Sequence, residues 1–322
     1  MTLANALAIF FNVALQVVQI TQRHAHFKSI LKLLFQLLSF LPLVFLHGLG
    51  CLLGLVVLAV SGIYRQRLLA NARQSGLAGV SGWQGLLHTA CQAGMMVAEL
   101  PRLWLGRSVR VLWRDRAALD AVFAQAASHS KGIIFLTPHL GSWEVAGQAI
   151  ASACNAHGKV MTVMYKPAKQ ASLDAIVKAS RKRPGMETVP ADVSGVRQTL
   201  RVLKAGGAIG LLPDQVPQSG MGVWSNVFSK PAYTMTLAAK LAQSNECPVV
   251  MVWCERLSGG LGYRVFTRTL ALTLDRTLNE VVQQINDAVE GAIAELPTQY
   301  LWSYARYKEP KPHQIGLGQV NT

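Results

Sequence analysis

The chain has 322 residues, a net charge of +15, a hydrophobic content of 51% and only 15% charged residues. About 25% charged is usual for a soluble domain, so an ordinary, evenly solvated globule is a poor description, and so is a disordered chain. The length suffices for one large domain or two modest ones with a core that needs neither disulfides nor metals.

Taken in chain order, the first segment is apolar, Met1 to Ile20, and ends at a cluster of Arg23, His24, His26 and Lys28. It has no basic residues ahead of its apolar run and no clear small-residue cleavage site, which argues against a signal peptide. A weak membrane-associating segment or an N-terminal extension fits better. From Leu33 to Tyr64 there is no Asp, Glu, Lys or Arg. At ~1.5 Å per residue a helix over that stretch exceeds the ~30 Å hydrocarbon core of a bilayer. Pro42, His47, Gly48, Gly50 and Gly54 interrupt it, so one kinked span or a re-entrant hairpin is expected. Arg65, Arg67 and Arg73 follow directly, which places that flank and the rest of the chain on the cytoplasmic side. Beside such an anchor the positive charge suits anionic lipid headgroups. Nucleic acid is not supported as a partner: there is no zinc-finger spacing, no aromatic RNA-binding signature and no basic helix with heptads. The five cysteines are scattered and odd in number, which argues against a disulfide framework or a structural zinc site and agrees with a reducing cytoplasm.

From Ile63 to about Arg116 the texture is helical and basic, with apolar residues at helical spacing over Gly85–Leu105. After Arg116, short β-branched runs alternate with helical patterns. Strands are predicted at Gly132–Thr137, Lys159–Tyr165, Ala208–Leu212, Pro248–Trp253 and Gly262–Thr269. Helices are predicted at Ser142–His157, Gln170–Lys182, Ser194–Ala205, Thr234–Ser244 and Thr277–Glu295. The fold class is therefore α/β, a largely parallel sheet flanked by helices, behind an N-terminal membrane-anchoring helical segment. The expected organisation is an anchor over 1–64, the main domain over 65–310 (a basic helical part 65–116 and an α/β core 117–310), and a tail over 311–322. Gly259, Gly260 and Gly262 suit a hairpin turn better than a phosphate loop.

In open α/β sheets, sites form where strands end at their carboxyl edge. The first such turn reads Thr137-Pro138-His139-Leu140-Gly141-Ser142-Trp143-Glu144. Ser142 is a credible N-cap, which puts Glu144 in the first turn of a helix. A carboxylate there can reach back to the imidazole, hold one ring nitrogen as N–H and leave the other free to take a proton. Such a pair without an enzyme nucleophile suits a reaction in which the substrate's own hydroxyl attacks. Gly141 and the N–H groups at the helix start can bind a phosphate or a developing oxyanion. The plainer alternative, a turn histidine and a carboxylate that merely complements the helix dipole, is favoured for an isolated motif of this length.

Other blocks shift that balance. Tyr165-Lys166-Pro167, Arg181, Leu203-Lys204-Ala205-Gly206, Pro213-Asp214-Gln215, Phe228 with Pro231-Ala232, and Pro297 with Gln299-Tyr300-Leu301-Trp302 and Arg306-Tyr307-Lys308 follow in order. Ahead of them stand Tyr64-Arg65-Gln66-Arg67, Asn71 and Glu99 with Leu103-Trp104. With the His-x4-Glu signature, these blocks resemble the lysophospholipid acyltransferase superfamily, and most closely its branch that adds late acyl chains to lipid A. The likeness runs from about Leu41 to Pro310. Departures are Lys166 where most members carry Arg, Val216-Pro217 after Gln215, and Ser229 in place of a glycine.

The resemblance implies a fatty acyl transfer from acyl carrier protein, or from CoA as second choice, to a hydroxyl of a glycolipid at the bacterial inner membrane. His139 would be the general base and Glu144 its orienting partner. Tyr165, Lys166, Arg181, Asp214, Gln215 and Gly141 would bind substrate, with no metal and no other cofactor. Without the resemblance, Arg181 reads as a helix-end charge beside Lys178, Lys182 and Arg183, and for Asp214 a functional role and a turn cap stand level. Trp302, Tyr304 and Tyr307, with Arg306 and Lys308, suit an interfacial aromatic belt, and core packing accounts equally well for Trp302. The rivals are acylation of another lipid, such as a lysophospholipid or mannosylated inositol lipid, and a non-catalytic membrane protein that binds lipid or an acidic partner.

Overall fold

The computed structural model describes residues 25–165 and 177–311, with side chains from residue 33 onward. The first apolar segment and Lys166 lie outside the described residues.

The charge-free stretch breaks at Leu41-Pro42 into helix α1 (Ala25–Phe40) and helix α2 (Leu43–Val60). Ser61 then accepts the Tyr64 N–H and starts α3 (Gly62–Ser75). Helix α2 is long and apolar enough to cross a membrane by length and composition. It does not stand apart from the domain, however. Its inner face packs along α4 (Trp83–Ala98), while Phe45, Leu49, Leu52, Val56 and Val60 remain exposed. The approach is close because glycines meet: a Cβ on Gly50, Gly54 or Gly94 would overlap the backbone of the facing helix. Gly50 and Gly54, four apart on one face, are thus contact points rather than breaks. Cys51 and Cys91 are joined by a disulfide at the same crossing. Their separation of 40 residues gives no sign of pairing, so this one bridge stands where scattered, odd-numbered cysteines argue against a disulfide framework, and Cys154, Cys247 and Cys254 are free. A short helix, α5 (Leu100–Trp104), completes the N-terminal group.

The α/β part is built on a seven-stranded sheet of order β1-β9-β8-β2-β5-β3-β4. The strands are β1 (Val111–Trp113), β2 (Ile133–Leu136), β3 (Met161–Tyr165), β4 (Met186–Pro190), β5 (Ala208–Leu211), β8 (Val249–Arg256) and β9 (Tyr263–Thr269). Five of them, from β8 to β4, are mutually parallel, and β9 turns back against β8 with β1 parallel beside it. The central strands are near-continuous apolar runs because both faces are covered. Helices α6 (Arg116–Ser128) and α7 (Trp143–Ala156) pack on one face around Phe123, Phe135, Val145 and Ile150. On the other face lie α8 (Val193–Lys204), α9 (Leu237–Asn245) and α10 (Leu278–Glu295), together with α3 and α4. The Thr277–Glu280 capping box fixes the start of α10.

The expected α/β class holds, and so does the glycine hairpin between β8 and β9. Strands β1 and β4 were not anticipated, nor was the hairpin β6 (Gly222–Val227) and β7 (Lys230–Met235), which takes in Thr234, a residue expected in a helix.

Candidate active site

Three adjacent parallel strands, β8, β2 and β5, end at the same edge, and their turns supply the site. Pro138 stops β2 and delivers His139, Pro213 follows β5 and delivers Asp214 and Gln215, and Arg256 closes β8. His139 and Asp214 are 5% and 4% exposed.

Asp214 grips His139 twice. One carboxylate oxygen lies 2.9 Å from Nδ1, and the other accepts the His139 backbone N–H at 2.8 Å. A carboxylate at Nδ1 requires the proton there and leaves the Nε2 lone pair outward, toward the Gln215 amide nitrogen at 3.3 Å. Burial alone would raise the Asp214 carboxyl. Electrostatic attraction to His139, the two hydrogen bonds from that residue and the more distant Arg306 outweigh burial and hold Asp214 below the usual carboxylate range. The Trp143 indole packs against the imidazole, with ring centroids 5.5 Å apart.

Glu144 does not take the position expected for it. Its carboxylate accepts from Arg181 Nη2 at 2.6 Å, and the imidazole nitrogen it was expected to hold is occupied by Asp214. The ion pair is 3% exposed at Glu144 and 17% at Arg181, so the guanidinium reaches the surface of the site. Arg181 also lies 5.9 Å from the Trp143 ring, which stands between the two pairs. Asp214 was expected to orient Arg181 or bind substrate; here it serves His139.

Gly141 differs from expectation in use rather than place. Its φ is +61°, and a Cβ would collide with the Cys254 carbonyl. Its N–H is spent on the Gln299 carbonyl at 3.0 Å, and the Ser142 N–H on the Cys254 carbonyl at 2.8 Å. Neither is free for an oxyanion, so Gly141 sets the shape of the turn. Ser142 starts α7 as expected, but its hydroxyl does not cap the helix. Tyr165 ends β3 and packs with Leu100, Trp104 and Val177.

The C-terminal block wraps the same turn. The Leu301 N–H bonds the His139 carbonyl, and the Gln299 side chain bridges both backbone groups of Arg256. Asn71 of α3 donates to the carbonyls of Trp302 and Tyr304, and Trp302 is a core residue. Blocks far apart in sequence therefore converge on His139.

The model of the family described as bacterial lipid A biosynthesis acyltransferase matches residues 88–309, from within α4 to the end of the C-terminal block. Among individual relatives, the lipid A biosynthesis palmitoleoyltransferase of Escherichia coli is 24% identical over 67% of this chain and 68% of its own length. A lipid A biosynthesis acyltransferase of Haemophilus influenzae is 24% identical over 55% of this chain and 54% of its own. Lipid A biosynthesis acyltransferase 2 of Shigella flexneri is 22% identical over 71% of each. The match covers every turn that builds the site, and the chain belongs to the bacterial lipid A biosynthesis acyltransferase family and is an acyltransferase.

Proposed function

We propose that this enzyme moves a fatty acyl chain from a carrier-protein thioester, or from acyl-CoA, to a hydroxyl of a lipid A precursor or related glycolipid, with His139 as general base. The observation that carries the reading is the Asp214–Nδ1 contact, which leaves the Nε2 lone pair as the proton acceptor. The acceptor hydroxyl takes the place now held by the Gln215 amide and gives its proton to Nε2. Its oxygen attacks the thioester carbonyl, the tetrahedral intermediate collapses, and the donor thiolate leaves with the proton from the imidazolium. Asp214 stays ionised throughout and stabilises that imidazolium.

Glu144 serves the reaction through Arg181 in this account. The ion pair aims a guanidinium at the site beside His139, and a guanidinium meets a phosphate as a fork of fixed donors. A phosphorylated glycolipid acceptor fits that arrangement. Tyr165, Lys166 and Gln215 complete the substrate contacts. The exposed apolar face of α1 and α2 seats the enzyme on the cytoplasmic leaflet of the inner membrane, with the basic residues after Tyr64 toward the headgroups. The +15 charge also suits an acidic carrier protein.

Membranes carrying the enzyme, incubated with labelled acyl donor and separately with a lipid A precursor, a lysophospholipid and a mannosylated inositol lipid, test the acceptor by thin-layer analysis. Label in the lipid A precursor is expected; label only in one of the others replaces the acceptor assignment.

A further inference from the structure

Behind the His139 turn lies a second buried polar cluster that acyl transfer does not use. Its centre is Glu99, between α4 and α5, and Arg256, the last residue of β8, each 1% exposed at the side chain. Arg256 Nε donates to one Glu99 oxygen at 2.7 Å and Nη2 to the other at 2.9 Å. Three further groups converge on the same carboxylate: the Ser142 hydroxyl at 2.6 Å, the Tyr263 hydroxyl at 3.0 Å and His47 Nε2 of α2 at 3.2 Å. Arg256 also donates to Gln92 Oε1 at 2.9 Å and to the Gly141 carbonyl at 3.3 Å. Burial would raise the Glu99 carboxyl, but Arg256 and His47 hold it down to about 2.

Stability is a weak reason to keep such a pair. Desolvating two charges offsets most of their attraction, and well-packed apolar replacements of buried ion pairs are often neutral or stabilising. What apolar side chains cannot supply is direction. The contacts here end on Ser142 and Gly141, two of the residues that join His139 to Glu144. The Ser142 hydroxyl, the natural cap of α7, is diverted to Glu99 instead. The turn carries His139 toward Asp214 and Glu144 toward Arg181, so its position sets both functional pairs at once. A misplacement near 1 Å can cost about 10²-fold in rate.

We propose that Glu99 and Arg256 are positioning residues that lock the 139–144 turn from behind, and that His47 ties this lock to the apolar helix α2. The proposal rests on His139 being the base, and the test keeps the two apart. The Glu99→Leu/Arg256→Met double variant of the full chain removes both charges together. Whatever its thermal midpoint, the kcat of its folded fraction should fall about 10- to 100-fold while the donor KM stays within a few-fold. Ser142→Ala, which cuts one tether, should lose several-fold in kcat with no change in melting, and Ser142→Thr should recover part of that loss. A double variant that folds and turns over, per folded molecule, within about twofold of wild type overturns the proposal. If the double variant fails to fold, Ser142→Ala decides alone, and an unchanged kcat overturns the proposal equally. His139→Ala is assayed in parallel: if it stays active, the base assignment has failed; if it is inactive while the cluster variants are fully active, only the positioning role has failed.

Discussion

Two junctions hold this molecule together, and they use opposite chemistry. At the α2–α4 crossing the chain comes close by omission: Gly50, Gly54 and Gly94 remove side chains, and apolar neighbours fill the rest. At the carboxyl edge of the sheet the chain comes close by pairing. His139 meets Asp214, Glu144 meets Arg181 and Glu99 meets Arg256, all buried or nearly so. Apart from the Cys51–Cys91 bridge, the first junction needs only fit, so its cost of error is steric. The second needs every partner, because a buried charge left alone is expensive and a misdirected imidazole is useless. Function sits where direction matters.

The comparison is broken most severely at the polar junction. Asp214→Asn keeps the shape but no longer demands the proton at Nδ1. It should cost about 10²-fold or more in kcat, read at saturating acceptor with the donor KM little changed. A loss under threefold would leave Glu144 as the better candidate for orienting the base. At the apolar junction, Gly54→Leu forces a side chain into the Ala90 backbone. It should destabilise by about 1–3 kcal/mol or more, seen as a lower melting temperature, with the kcat of the folded fraction near wild type. A large kcat loss at unchanged melting would show that the two junctions are not separable in this way.

Smaller effects sharpen the picture. Arg181→Ala should raise the acceptor KM, or lower kcat/KM, by about 10-fold, and Arg181→Lys should recover only part, since an ammonium has no fork. With acyl-CoA in place of carrier protein the defect should persist; a defect confined to carrier protein would make Arg181 a docking charge. The smallest effect is on acid stability. Glu99 and Asp214 both titrate lower in the fold than in the unfolded chain. Their contribution is therefore complete above the ordinary carboxylate range and is lost as pH falls through the depressed values, toward about 2 for Glu99. Glu99→Gln should flatten the fall in melting temperature between pH 5 and about pH 2. An unchanged slope would mean that other carboxylates govern it.

The sheet was legible in the sequence because its central strands are short apolar runs separated by helical periods, and Pro138 marked the turn that carries His139. Strand β1 was hidden in a basic segment that reads as helical, and β4, Met186–Pro190, is a half-polar edge strand with too little apolar pattern to stand out. At the site, spacing identifies only local partners. Glu144 lies within one turn of His139 in sequence, so it was the natural choice to hold the ring. The residue that does so stands 75 positions away in the turn after β5, and only the pairing of β2 with β5 brings it there. Pro213-Asp214-Gln215 after a strand was the available signal, and two strand-end turns on neighbouring strands could have been matched to each other. The glycines of α2 were misread for the same reason, because their partner helix begins only at Trp83.

The central claim is that His139 is the base for an acyl transfer, and the turnover of His139→Ala tests it most directly. In membranes with equal amounts of folded protein, labelled acyl carrier protein and saturating acceptor, the account predicts a loss of about 10²–10⁴-fold in kcat with membrane association intact. A rate within a few-fold of wild type would contradict it.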